Sequence, residues 1–196
     1  MQKNTAPTSL RSESLRRMVT CAVLIALGTV LSIIQIPFPW LIWGGSVTLL
    51  SMLPICMVGL MYGPVWGIGS AFVFSVIQLM LSRVGAWGLS PTVFAVCVIF
   101  DYIVAFTVLG VVGFFKGRSN TVILIGVGIS VFLRFICHFI TGITIWEASM
   151  PDSFSNIWIY SLLYNGSYML PELIFTVIGA AALIRVGYIK RLISAK

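Results

Sequence analysis

PTVFAVCVIFDYIVAFTVLGVVGFFKGRSN, residues 91–120, decides the fold. From Pro91 to Phe115 the stretch is apolar apart from a single charged side chain, Asp101, and it closes on Lys116 and Arg118. At about 1.5 Å per residue a helix over 91–115 is about 37 Å long, enough to cross a bilayer core of roughly 30 Å. Pro91 suits a first helical position, where its missing N–H has no intrahelical partner to lose. The basic turn after Phe115 sends the chain back.

The same pattern recurs along the chain. Apolar runs at 18–37, 47–62, 65–82, 121–145 and 158–188 join 91–115, which predicts an all-α integral membrane bundle of six transmembrane helices in a single domain, 1–196. The 196 residues are 59% hydrophobic and 9% charged, and the mean hydropathy of +1.08 lies far outside the range of a soluble domain. Gly63-Pro64 is too short a link for anything but an antiparallel hairpin of the second and third spans. Residues 37–45, Pro-Phe-Pro-Trp-Leu-Ile-Trp-Gly-Gly, are too broken by proline to continue a helix and read as a loop. The last run exceeds the bilayer thickness and carries Pro171, so a tilt, a kink or an emerging end is expected. Met1 to Arg17 is polar and basic, but the apolar run behind it is long and has no convincing cleavage site, so it reads as a retained first helix.

The net charge of +7 would suggest nucleic acid if the basic residues were scattered. They are not. Lys3, Arg11, Arg16, Arg17, Lys116, Arg118, Arg185, Lys190, Arg191 and Lys196 all flank spans on one side of an even-numbered topology, while the opposite loops hold Glu147, Asp152 and Arg83. The positive-inside rule makes the basic side cytoplasmic and puts both termini there. No nucleic-acid partner is expected. Cys21, Cys56, Cys97 and Cys137 lie inside apolar runs without ligand-like spacing and read as small core residues, and no metal or cofactor is implied.

Ionisable residues inside spans are costly and mark function by default. Counting from the outer ends places His138 and Asn165 roughly 10 Å deep, Asp101 about 15 Å, Arg134 about 17 Å and Glu172 about 21 Å. The deeper pair, Arg134 and Glu172, reads as a structural ion pair or as part of a ligand site. In the first case Asp101 is left uncompensated beside His138 and Asn165, and one Arg against two carboxylates leaves a negative unit for a cationic ligand. The competing assignment has Asp101 protonated by burial, or paired with Arg134 while Glu172 is protonated. Trp40, Trp43, Trp146, Trp158, Tyr160 and Tyr164 gather at the outer ends and loops. A membrane-interface belt accounts for part of this, and stacking on a flat organic cation accounts for the excess over the other side. On an ideal helix Tyr160 and Asn165 point about 140° apart, so both line one pocket only by flanking it or through an irregular helix. Ala22 and Ala26 form a small-xxx-small pattern that admits a close helix neighbour.

Arg-Phe-Ile-Cys-His-Phe-Ile-Thr-Gly-Ile-Thr-Ile-Trp (134–146) and Tyr-Ser-Leu-Leu-Tyr-Asn-Gly (160–166) resemble the thiamine-specific S component, the substrate-binding subunit, of energy-coupling factor (ECF) transporters. Gly44-Gly45-Ser46-Val47-Thr48, Phe100-Asp101-Tyr102 and Tyr168-Met169-Leu170-Pro171-Glu172 extend the likeness. The resemblance implies a multi-pass protein of a prokaryotic cell membrane that captures thiamine or a related vitamin from outside. It also implies docking on a transmembrane coupling subunit with two ATPases. His138 and Trp146 would then pack against the vitamin, Tyr160 and Asn165 would hold its aminopyrimidine, and Asp101 would face the thiazolium, with Tyr164 alongside. The loop with Trp40 would be a lid, and Ala22 and Ala26 would meet the coupling subunit.

Two other classes are weighed against it. An intramembrane hydrolase finds no support, since the chain has no GxSxG, HExxH or paired-aspartate motif, and no catalytic residue is assigned. The alternatives are an S component for another small aromatic vitamin or pyrimidine, and a stand-alone proton-coupled carrier working through Asp101 and Glu172. No GxxxxGK[ST] or GxGxxG occurs either, so ATP-driven work would require partners.

Overall fold

With no water in the hydrocarbon to satisfy backbone groups, each apolar run must bond to itself as a helix. The computed structural model describes residues 6–36 and 45–194. Helix α1 (Ala6–Ile33) buries the stripe Cys21, Ile25, Gly28 and Ser32, spaced three or four apart, against the bundle. Ala22 and Ala26 lie on its exposed side. The helix ends at Ile33, short of the Pro37 expected from hydropathy, because Gln35–Ile36 (β1) pairs antiparallel with Val47–Thr48 (β2).

That hairpin corrects the expected second span at 47–62. Its first residues are strand and turn, with Leu50 at φ 61, and helix α2 occupies only Leu53–Tyr62, opening on Pro54 in its first turn. Ten residues make a helix about 15 Å long, half a bilayer core. Every residue from Ser51 to Met61 is buried, which is why this segment is apolar all round without an amphipathic pattern. Gly63, at φ 89, makes the tight turn expected of Gly63-Pro64, and α3 (Pro64–Ser82) returns alongside.

Helix α4 (Pro91–Phe115) starts under a cap in which the Ser90 hydroxyl accepts the Val93 N–H. It is not uniform. Cys97–Val104 is wound as a π-helix and Val108–Phe115 as a 3₁₀-helix. The tighter winding accompanies contact with α3 at backbone distance: a Cβ on Gly110 would stand 2.5 Å from the Gly67 carbonyl carbon and from Ile68 Cα. Glycine lets these two helices meet without side chains between them.

Helices α5 (Asn120–Thr144) and α6 (Ile157–Leu183) pack along each other, and α6 continues through Pro171. The expected sixth span, 158–188, stops earlier, at Leu183. Gly187–Ser194 forms a separate amphipathic helix, α7, with Ile193 buried and Lys190 and Arg191 exposed. Alternation of apolar and basic residues at helical spacing suits a surface helix and not a span. Among the described residues five helices are long and apolar enough to cross a membrane, and α2 is a shorter apolar one.

The basic segments converge on one end. Arg17 lies 5.9 Å from the centre of the Tyr62 ring at the end of α2 and pairs with Glu13. Partial burial, and then the charge of Arg17, hold Lys116 below the usual lysine range.

Candidate functional site

A cavity of about 700 Å³ opens among α1, α3, α4, α5, α6 and the strand β2, within the range of about 300–1,000 Å³ common for small-molecule sites. Asp101 enters it from the π-wound middle of α4 and is buried. Such segments are rare and recur at functional sites.

The carboxylate has no permanent countercharge in a salt bridge among the described residues, but it is not bare. His138 Nδ1 lies 3.0 Å from Oδ1, the Thr141 hydroxyl donates to the same oxygen, and Trp146 Nε1 donates to Oδ2 over 2.9 Å. His138 and Thr141 stand one turn apart on α5, so one helix face delivers two partners, and Trp146 follows just beyond the helix end. With Asp101 ionised, the imidazole must be the donor at Nδ1. In the neutral ring His138 Nε2 is then a lone-pair acceptor, and it has no partner among the described residues.

Across the cavity Asn165 is held rigidly. Its Nδ2 donates to Ser161 O at 3.0 Å and lies 3.1 Å from Ser161 Oγ, while the Tyr168 hydroxyl donates to Oδ1 over 2.8 Å. Ser161 in turn donates to the Phe139 carbonyl on α5. This seam exists because position 142 has no side chain. A Cβ on Gly142 would overlap the Ser161 hydroxyl and stand 2.9 Å from Asn165 Nδ2. Gly142→Ala is therefore expected to push α6 away and weaken ligand binding about tenfold, at a cost of roughly 1–3 kcal/mol. A fluorescence titration giving an affinity within twofold of the parent protein would refute this.

Tyr160 and Asn165 both line the cavity despite their divergent directions on α6. Tyr160 does so from the outer flank, with its ring 5.1 Å from Phe154 and 5.5 Å from Tyr164, and Tyr164 continues the row to Tyr168. Trp158, by contrast, is 57% exposed and faces away. Trp40 and Trp43 lie outside the described residues.

The direct Arg134–Glu172 pair is also corrected: no ion pair joins them among the described residues. Arg134 stacks its guanidinium over Phe106 at 4.0 Å, and its Nε is without a partner among the described residues. Glu172 spends one oxygen on Thr48, accepting both the backbone N–H (2.5 Å) and the hydroxyl (2.6 Å), and its other oxygen is without a partner among the described residues. Both side chains line the same cavity as Asp101. With both carboxylates ionised, the lining carries one net negative unit.

Sequence reasoning missed Thr141 and Trp87. Thr141 was within reach, since it follows His138 at i+3. Trp87, in the loop after α3, meets Trp146 edge-on at 6.1 Å and lines the cavity. Nothing in its local sequence distinguishes it from an interface aromatic.

Apolar helices enclosing an aromatic, net-negative cavity define a multi-pass membrane protein with a small-molecule site. The chain belongs to the thiamine transporter protein family, whose model (Thia_YuaJ) matches residues 18–190. It is 28% identical over 180 residues to the thiamine transporter ThiT of Bacillus subtilis, covering 86% of this chain and 90% of that one. To ThiT of Lacticaseibacillus paracasei it is 26% identical over 148 residues, covering 69% and 72%. A solved structure of ThiT from Listeria monocytogenes has the same fold, with a TM-score of 0.72 and 20% identity over 92% of this chain and 98% of that one.

Proposed function

We propose that this protein is the thiamine-binding S component of an ECF-type uptake transporter, a binding subunit and not an enzyme. In this reading it takes the vitamin from outside and docks on a coupling subunit served by two ATPases. The observation that carries the reading is the cavity around Asp101, whose lining combines one net negative unit with the rings of Trp146, Tyr160, Tyr164 and Trp87. An aromatic cation is the ligand class that such a lining favours over anions and neutral solutes. The unpartnered His138 Nε2 acceptor suits an exocyclic amino group on that ligand.

In the membrane the five long helices and α2 make six helical elements, and the convergence of Arg17, Lys116 and α7 favours a cytoplasmic location for both termini. Ala22 and Ala26, exposed on α1, offer a flat surface to a coupling subunit.

Thiamine is expected to bind the purified protein tightly and to quench tryptophan fluorescence, because Trp146 donates to the carboxylate at the centre of the site. A titration with no saturable quenching, together with no thiamine among small molecules co-purified and read by mass spectrometry, would reject the ligand. Concentrative uptake by the chain alone in liposomes under a proton gradient would instead favour the stand-alone carrier.

A further inference from the structure

We infer that Glu172 is a positioning residue that governs how long the ligand stays bound, by clamping the wall of the cavity formed by residues 45–48. The inference rests on the ligand-binding role proposed for this cavity. Gly45, Ser46 and Thr48 line the cavity directly. The secondary structure that holds them is minimal, two residues in each of two strands. A ladder that short has little stability of its own, so something else must hold the wall in place.

One face of α6 supplies it. Asn165, Tyr168 and Glu172 follow each other at i, i+3 and i+7, on one side of the helix. At the far end, Glu172 is 1% exposed and its Oε1 takes both donors of Thr48, a residue 124 positions away in sequence. The Thr48 hydroxyl also lies 2.6 Å from Ser51 Oγ, which ties the clamp to the start of α2. One turn back, Gly45 at φ 81 seats against the Tyr168 ring so closely that a Cβ would stand 2.6 Å from it. The hydroxyl of that same Tyr168 donates to Asn165. The amide at the ligand site, the ring under Gly45 and the carboxylate on Thr48 thus share one rigid support.

The clamp uses Oε1 as an acceptor from two donors, so a neutral amide can reproduce it and a methyl cannot. That separates a clamp from a charge effect. Stopped-flow tryptophan fluorescence with thiamine as the probe would measure association and dissociation separately. Glu172→Ala is expected to raise the dissociation rate about tenfold or more while association changes less than about threefold, and Glu172→Gln is expected to restore slow release. Thr48→Val, which removes one of the two donors and keeps the backbone N–H, should raise the dissociation rate by an intermediate factor even if Glu172→Ala fails to fold.

An unchanged dissociation rate in both Glu172→Ala and Thr48→Val would overturn the inference. So would equal acceleration in Glu172→Ala and Glu172→Gln, since that assigns the effect to charge. If the parent protein does not bind thiamine at all, it is the proposed function that fails.

Discussion

Asp101→Asn is expected to weaken thiamine binding about 100-fold. Three donors converge on the two oxygens of this side chain. An amide offers one acceptor oxygen and turns an N–H₂ toward donors where the second oxygen stood, so at least one buried donor loses its acceptor at roughly 1–3 kcal/mol. The substitution also removes the charge proposed to face the ligand's cation. The two losses sum to about 3 kcal/mol, or about two orders of magnitude in affinity. Glu172→Gln serves as the control, because Oε1 still accepts from Thr48 and the affinity should fall less than about threefold. Equal losses in the two variants, measured by equilibrium titration, would show that Asp101 is not the group facing the cation.

Gly110→Ala is expected to be the most destabilising small substitution in the bundle. The added methyl would lie 2.5 Å from the Gly67 carbonyl carbon and Ile68 Cα, and no side-chain rotation can relieve a clash with backbone. Gly67 and Gly59 interlock at the same crossing, where a Cβ on Gly67 would stand 2.7 Å from Gly59 Cα. Separating α3 from α4 there opens the packing of the buried α2 as well. Overpacking of this kind costs roughly 3 kcal/mol, at the upper end for one methyl group. Gly69→Ala is the matched control, since nothing stands within contact of its Cβ. Thermal aggregation in detergent, followed by size exclusion, should show Gly110→Ala aggregating at a markedly lower temperature than the parent and Gly69→Ala matching it.

Asp101 and Gly110 differ in how much of their role the sequence shows. Asp101 was identifiable from sequence as a functional candidate because a charge within a 25-residue apolar run is costly wherever the helix packs. Gly110 could not be singled out. Glycine is common in apolar helices, and only the crossing of α3 and α4 shows that this one meets backbone. The grouping of His138 with Asp101 was likewise legible as a matter of depth, since depth follows from a linear rise per residue. Which atoms meet was not legible, because azimuth depends on winding and α4 changes from α to π to 3₁₀ along its length.

The sequence by itself determined that the chain lives in a membrane, where its long helices run, which end is basic, and which few ionisable groups lie inside. Hydropathy and charge are additive over a window of about 20 residues and need no knowledge of neighbours. The tertiary structure alone decided that residues 47–52 form strand and turn before the half-length helix α2, that Asp101 is held by three donors, and that Glu172 turns to Thr48 and not to Arg134. Each of those outcomes is a contact between segments distant in the chain. A buried polar atom takes the partner that packing brings within hydrogen-bonding distance, not the one that opposite charge alone would select.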